Sequence, residues 1–298
     1  MTLHELIERE GLAPHVDVGW AGDHYKQMGQ LVEKIGTPED ALRVSRLLRP
    51  PEATSRPADL QGLAVCRLRL GNLLRKNGRT EQAREQFAAA EQTVSVLMKS
   101  LERQPTASGD LSRARREVGL ACLELAEGAS DAAQHGTAEQ AARQAIALFK
   151  QLAQDDPKRS EYPKELGYTQ WRLADVLART GRREQAEPIL REAVQVFEQA
   201  ARDFRDEPFL RQEQACSRYL LGDVLKELGR SDEAAREYQA ATALYAGLKA
   251  AAPTNAFYCE EEAYTTWMLA EMLEGAGRLD TAQAEYRQAI AQIGRAHV

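Results

Sequence analysis

The sequence predicts an all-α chain, a right-handed α-solenoid of about six antiparallel helical hairpins. Three observations carry this expectation. Ala, Leu, Glu, Arg and Gln dominate the 298 residues, all of them strong helix formers, and β-branched residues rarely cluster. Glycine (20) and proline (11) are too sparse for a disordered or collagen-like chain, whereas 43% hydrophobic residues suffice for a core. One pattern also recurs at a fixed step, which is the mark of stacked repeats rather than the two globular domains that length alone would suggest.

The clearest copies are Leu173–Arg182, Leu221–Arg230 and Leu269–Arg278, which follow one another at a constant step of 48, with an earlier copy at Leu70–Arg79. Five residues past the second glycine of each copy stands an alanine: Ala83, Ala186, Ala234, Ala282. Four further on comes a large apolar residue (Phe87, Leu190, Tyr238, Tyr286), and three beyond that a second alanine (Ala90, Ala193, Ala241, Ala289). Spacings of four, three and seven put these residues on one helix face.

Taken in order, the first hairpin is expected around residue 34. It is marked by Met28-Gly29, Gly36 and Ala41, with Thr37 as cap and Pro38 after it. The second turns near residue 78, with Thr80 as the expected cap. The third, near 132, is degenerate. Val118-Gly119 lies one full step past Leu70-Gly71, Ala141 opens the second helix, and a longer turn is expected over Gly128–Gly136. The last three turn near 181, 229 and 277, with Ser231 and Asp280 as caps of the final two. Loops carrying Pro157, Pro208 and Pro253 separate successive hairpins. In each unit the first helix is expected to end at a glycine able to take the left-handed conformation. Small residues at the crossing let two backbones approach, and stacking buries the face that one hairpin leaves open.

This order of Leu-Gly or Leu-Ala, Gly, Ala, aromatic or Leu, and Ala resembles the tetratricopeptide repeat over about Trp20 to Gln292, weakly before Leu63 and around Val118–Leu148. The usual repeat is ~34 residues; the longer step here is expected to lengthen both helices. The long form is similar to the tetratricopeptide arrays of large bacterial signalling proteins, where the array often follows a kinase or nucleotide-binding domain. The expected organisation is an N-terminal segment at 1–19, a degenerate first hairpin and Pro-rich loop at 20–62, the array at 63–292, and a tail at 293–298. That tail, Ile293–Val298, resembles the translation of the sequencing adapter ATCGGAAGAGCACACGTC. The adapter's two preceding bases complete a CAG codon, and residue 292 is Gln292. The tail is therefore expected to be non-native and the natural chain to continue; a genuine six-residue tail is the alternative.

A net charge of −6 argues against a general nucleic-acid binder. No run of 18 apolar residues occurs, so no membrane span is expected, and the N-terminus lacks a signal-peptide pattern, which points to the cytoplasm. The cysteines (Cys66, Cys122, Cys216, Cys259) and five histidines are scattered without metal-ligand spacing, so neither metal nor cofactor is expected. The sequence contains no Gly-rich phosphate loop, no His-Glu-x-x-His and no Gly-x-Ser-x-Gly, and an enzyme is not expected. Glu260-Glu261-Glu262 reads as an acidic first helical turn.

The resemblance implies that first helices line a concave face where a peptide or partner protein lies. The helical period projects onto that face Tyr168, Trp171 and Asp175; then Cys216, Tyr219 and Asp223; then Tyr264, Trp267 and Glu271. The aromatics stand two residues before the repeat Leu, one position later than in the familiar repeat. At the other end the same register gives Arg113 and Arg116. Aromatic anchors and acids would suit a basic segment, the two arginines acidic groups. The alternative is that the aromatics pack between hairpins and the acids are merely solvated. Two functions follow: a protein-interaction scaffold, or a regulatory arm of a larger signalling protein. RNA recognition by helical repeats fits poorly, because the aromatic end is acidic. The last helix, read as Asp280–Gln292, carries Ala289 and Ile290 with no helix after it, so exposed apolar surface and self-association are expected there.

Overall fold

The computed structural model describes residues 30, 37–48, 57–103, 108–131 and 133–296. The expected N-terminal segment and the turn near residue 34 lie outside the described residues. Among the described residues there are eleven helices and no strand: α1 (Pro38–Leu47), α2 (Pro57–Lys76), α3 (Thr80–Arg103), α4 (Ser108–Asp131), α5 (His135–Asp155), α6 (Glu161–Arg179), α7 (Arg183–Asp203), α8 (Pro208–Glu227), α9 (Ser231–Ala251), α10 (Ala256–Gly275) and α11 (Leu279–Ala296). The chain divides into two units at Asp155/Asp156. In the first unit α2/α3 and α4/α5 are hairpins, α1 packs on α2, and α4 rests on α2 and α3. In the second, α6/α7, α8/α9 and α10/α11 are hairpins; α8 packs on α7 and α6, and α10 on α9. α2 begins at Pro57, so it reaches back into the stretch expected to be a Pro-rich loop.

Four hairpin joints share one geometry. Gly78, Gly181, Gly229 and Gly277 have φ between +74° and +77°, where a side chain would be strained. The next residue is an arginine whose N–H donates to the carbonyl five residues back: Arg79 to Leu74, Arg182 to Leu177, Arg230 to Leu225 and Arg278 to Leu273, each at 2.9 Å. This closes the first helix in the Schellman manner. The arginine carbonyl then accepts the first bond of the second helix, as from Ala83, Ala186, Ala234 and Ala282. Arginine therefore holds the cap position, and the caps expected at Thr80, Ser231 and Asp280 are displaced into the helix. Only Thr37 caps as expected: its hydroxyl accepts from the Asp40 N–H (3.2 Å) while the Thr37 N–H donates to Asp40 Oδ2 (3.0 Å), with Pro38 following.

The degenerate joint corrects two expectations. α4 runs through to Asp131, so no long turn spans 128–136. Ala133 takes the left-handed position (φ 58°), and the Gln134 N–H donates to Ala129 (2.8 Å) as the arginines do elsewhere. Counting back eight residues puts Leu125-Ala126, not Val118-Gly119, in the place of Leu70-Gly71. Counting forward five gives Ala138, not Ala141. The first joint-to-joint step, from Gly78 to Ala133, is thus one heptad longer than those that follow, from Ala133 to Gly181, Gly229 and Gly277.

The seven-residue slip has a physical cause: a small residue and a ring can meet at two levels seven residues apart on each helix, and α8/α9 uses both. Near the joint, a methyl built on Gly71 would come within 2.9 Å of the Phe87 ring, and one on Gly222 within 2.7 Å of Tyr238. Two helical turns farther out, Gly119 faces Phe149 (2.8 Å) and Gly167 faces Phe197 (2.6 Å), and Ala215 packs with Tyr245. A ring on the second helix fills the space that a small residue on the first leaves. Adding one heptad to each helix of a ~34-residue repeat accounts for the step of 48. The rings of Phe87, Phe149, Phe197, Tyr238 and Tyr245 are all at most 1% exposed. Each such burial contributes on the order of 1.5–3 kcal/mol. The repeat alanines Ala83, Ala186, Ala234, Ala282, Ala90, Ala193, Ala241 and Ala289 are likewise buried.

Ion pairs tie neighbouring hairpins at the joints. Arg230 donates to Glu233 and to Glu187 (2.7 Å each), and Arg191 reaches Glu187 (2.9 Å) and Glu233 (3.1 Å). All four side chains are partly exposed, so each pair is worth at most ~1 kcal/mol. Among the described residues no helix is long and apolar enough to cross a membrane.

Candidate peptide-binding face

The first helices of the second unit, α6, α8 and α10, carry the projected residues. The position three before the repeat Leu is taken up within the fold. Gln170 (2% exposed) donates to Glu192 (2.9 Å), Arg218 to Glu237 (2.8 Å), and the buried Thr266 hydroxyl to the Glu262 carbonyl (2.7 Å). The aromatics one residue later are rotated by about 100° from that direction. Trp171 and Tyr219 are half-buried and Trp267 is 39% exposed.

The structure brings these aromatics into contact with one another in separate groups. Tyr168 stacks on Trp171, with centroids 5.7 Å apart. Tyr219 meets Tyr264 edge-on at 5.4 Å, with the hydroxyls 3.4 Å apart. Trp267 lies edge-on to Tyr286 at 4.7 Å, and Tyr286 donates to Glu274 (2.8 Å). Tyr264 is 47% exposed, the most open ring of the set.

The acids projected beside them are already engaged. Asp175 pairs with Arg179 (2.9 Å). Asp223 accepts from the Tyr238 hydroxyl (2.7 Å); burial holds its carboxyl above the ordinary aspartate range despite that bond. Glu271 accepts from Lys226 (2.8 Å) and from the Trp267 indole (3.1 Å), and the lysine holds it below the ordinary range. Burial, with Tyr264 and Asp223 nearby, pushes the Tyr219 hydroxyl above the usual phenol range.

The glutamate run corrects another expectation. α10 starts at Ala256, so Glu260-Glu261-Glu262 sits beyond the first turn. Successive residues about 100° apart then meet three environments. Glu260 is exposed and Glu261 half-buried, whereas Glu262 is 5% exposed, ion-paired with Lys249 and accepting from Gln292 (2.8 Å). A cavity of about 500 Å³ opens beside Glu260, Glu261, Tyr264 and Trp267. A smaller one of about 280 Å³ lies among α6, α7 and α8, bordered by Asp175, Arg183, Asp223 and Glu227.

Arg113 (exposed) and Arg116 (half-buried) belong to α4 of the first unit. Measured from Leu125, they lie seven residues farther from the joint than the sequence register placed them. That shift keeps the helix face but moves them ~10 Å along the axis. They therefore belong to a different unit from the aromatics of α6, α8 and α10. The first unit has its own groove of about 750 Å³ between Met98 of α3, Arg115 of α4, and Arg143 and Leu148 of α5; Arg115 pairs there with Asp155 (2.9 Å). Sequence reasoning gave no sign of it, since its walls come from three helices without a shared period. Among the described residues no group of three or more His, Cys, Asp or Glu could hold a metal.

These hairpins, with small residues facing rings and a left-handed joint between, define a helical-repeat protein. Residues 167–192 and 263–288, and separately 217–247, match models of the tetratricopeptide repeat; each matched segment brackets one joint of the second unit. The second unit therefore carries three segments that match the tetratricopeptide repeat. No curated protein matches it. Among solved structures, BtubC (BKLC) from P. vanneervenii is similar at 15% identity, over 93% of this chain and 92% of that one, with a TM-score of 0.57. A putative kinesin light chain of Podosopora anserina with nearly identical TPR-like repeats is similar at 20% identity, over 82% and 99%, with a TM-score of 0.55. The apo form of RapI is similar at 12% identity, over 98% and 70%, with a TM-score of 0.59. At these identities the likeness is one of fold.

Proposed function

We propose that the chain is a non-catalytic scaffold that binds a peptide or partner protein on the first-helix face of its second unit. The observation that carries this reading is the exposure of Tyr264 and Trp267 beside a cavity of about 500 Å³. The residues one position earlier, Gln170, Arg218 and Thr266, turn inward and take polar partners within the fold, so these rings are not drawn into that position. Large rings with few rotatable bonds contribute contact area at small entropic loss, which suits them as anchors. Asp175, Asp223 and Glu271 of this face are held by arginine, tyrosine, lysine and tryptophan in structural roles, with no nucleophile and base set against each other there.

The test is affinity capture of binding partners with the wild-type chain and with Tyr264→Ala/Trp267→Ala. Loss of the captured partner with unchanged helicity supports the reading, and undiminished capture contradicts it. A second contact surface is favoured by one observation: Leu279 and Ile290 of α11 are 63% and 61% exposed. We infer weak self-association there, read as a concentration-dependent sedimentation coefficient that Leu279→Ser/Ile290→Ser abolishes. A coefficient independent of concentration contradicts it.

A further inference from the structure

We propose that the partner segment is cationic and that Glu261 and Glu213, rather than the row Asp175, Asp223 and Glu271, select it. This rests on the scaffold reading above and names the chemistry of what the face takes.

Counting eight residues back from each repeat Leu gives Glu165, Glu213 and Glu261, one full repeat step apart on α6, α8 and α10. Steps of three residues then lead to Tyr168, Cys216 and Tyr264, and on to Trp171, Tyr219 and Trp267, so the glutamates share the aromatic face. Here they differ from the acids two residues after the Leu. Asp175 is held by Arg179, Asp223 by Tyr238, and Glu271 by Lys226 and Trp267. A partner that used those acids would first have to break bonds the fold already makes.

Glu213 and Glu261 are half-buried and make no ion pair among the described residues. Glu213 has the amide of its neighbour Gln212 as a hydrogen-bond partner, and the cation acting on it is Lys164, whose ammonium stands 4.0 Å over the Phe209 ring. Cys216 follows Glu213 by three residues on α8, on the same helix face, and both carboxylates act on its thiol. Burial raises both carboxyls above the ordinary glutamate range, and for Glu261 the adjacent Glu260 adds to the effect. Partly desolvated carboxylates without an ion pair are unfavourable in the free chain. An arriving guanidinium or ammonium would offset that with charge-assisted bonds. Glu260, Glu261, Tyr264 and Trp267 all border the cavity of about 500 Å³, so a cation seated there would also meet aromatic faces. An anionic segment would be repelled at the same place.

The probe is a displayed random-peptide library panned on the full chain, with the recovered peptides remade in fluorescein-labelled form. The expected result is peptides carrying Lys or Arg. They should bind Glu213→Gln/Glu261→Gln roughly tenfold or more weakly, the loss expected for charge-assisted bonds. Asp175→Asn should leave their affinity within about twofold, as an internally paired surface acid should. Peptides that need Tyr264 and Trp267 but show no Lys or Arg enrichment, or are indifferent to the double glutamine variant, overturn this inference and leave the groove intact. If no recovered peptide depends on Tyr264 and Trp267, the scaffold reading of this face fails and the inference fails with it.

Discussion

Gly167 of α6 lies directly under the ring of Phe197 of α7, so close that a methyl group on Gly167 would come within 2.6 Å of two ring carbons. In an exposed helix, exchanging Gly for Ala gains about 0.5–1 kcal/mol of helix propensity. Here Phe197 is fully buried and cannot swing away, and overpacking of this kind costs about 1–3 kcal/mol. Gly167→Ala should therefore lower stability by a net ~1–2 kcal/mol. Adding Phe197→Leu should recover part of that loss, a positive coupling readable by urea unfolding of the four chains in the cycle. Additive losses would mean the two residues do not share one space.

Ala133 occupies a backbone conformation that glycine holds at the other four described joints. A left-handed residue with a Cβ is strained by about 1–2 kcal/mol, and glycine's greater freedom in the unfolded chain returns part of that. Ala133→Gly should raise stability by roughly 0.5–1 kcal/mol. Gly181→Ala, which introduces the same strain, should lower it. Thermal melts of the two variants, run side by side, should move in opposite directions.

Burial pushes the thiols of Cys66, Cys122 and Cys216 up to about 12. Since the thiolate is the reactive form, an alkylating agent at neutral pH should leave Cys66 and Cys122 unmodified in the folded chain and modify all four cysteines in denaturant. Mass spectrometry of the digested chain reads this directly. Rapid native labelling of Cys122 would show that α4 does not pack as described.

Two acids of the face should give opposite pH dependences. Lys226 holds Glu271 below the ordinary glutamate value, so its contribution is present above that value and lost as pH falls through the lowered one. Burial holds Asp223 above the ordinary aspartate value, so stability falls as pH rises from that value through the raised one. Glu271→Gln should flatten the acid-side loss of melting temperature. Asp223→Asn, which keeps an acceptor for the Tyr238 hydroxyl, should flatten the decline above the ordinary aspartate range.

Much of this was legible in the sequence, for reasons that also mark where legibility stopped. Gly181, Gly229 and Gly277 fixed three joints because only glycine sits there without strain, and the alanines five and twelve residues later had to be small to let helices cross. Ala133 broke that code, as an alanine at a left-handed joint carries no sequence mark. Gly119 then offered a false register, because the second crossing level repeats the first after two helical turns. The caps went astray because a serine or threonine after glycine and arginine looks like a cap, whereas the arginine backbone accepts the first helical bond. On the face, helical period was enough to find the rings. It could not show that Glu271 and Asp223 were already bonded to Lys226 and Tyr238, since those partners lie on other helices. The recurrence of Glu165, Glu213 and Glu261 was visible in the sequence; their differing partners were not.

The most direct test of the central claim is hydrogen–deuterium exchange of the chain, free and saturated with a partner recovered through Tyr264 and Trp267. Binding on the first-helix face predicts added protection in α6, α8 and α10, strongest near Glu261–Trp267, with little change along the outward sides of α7 and α9. Protection confined to α7, α9 or the first unit, with α10 unchanged, would contradict it.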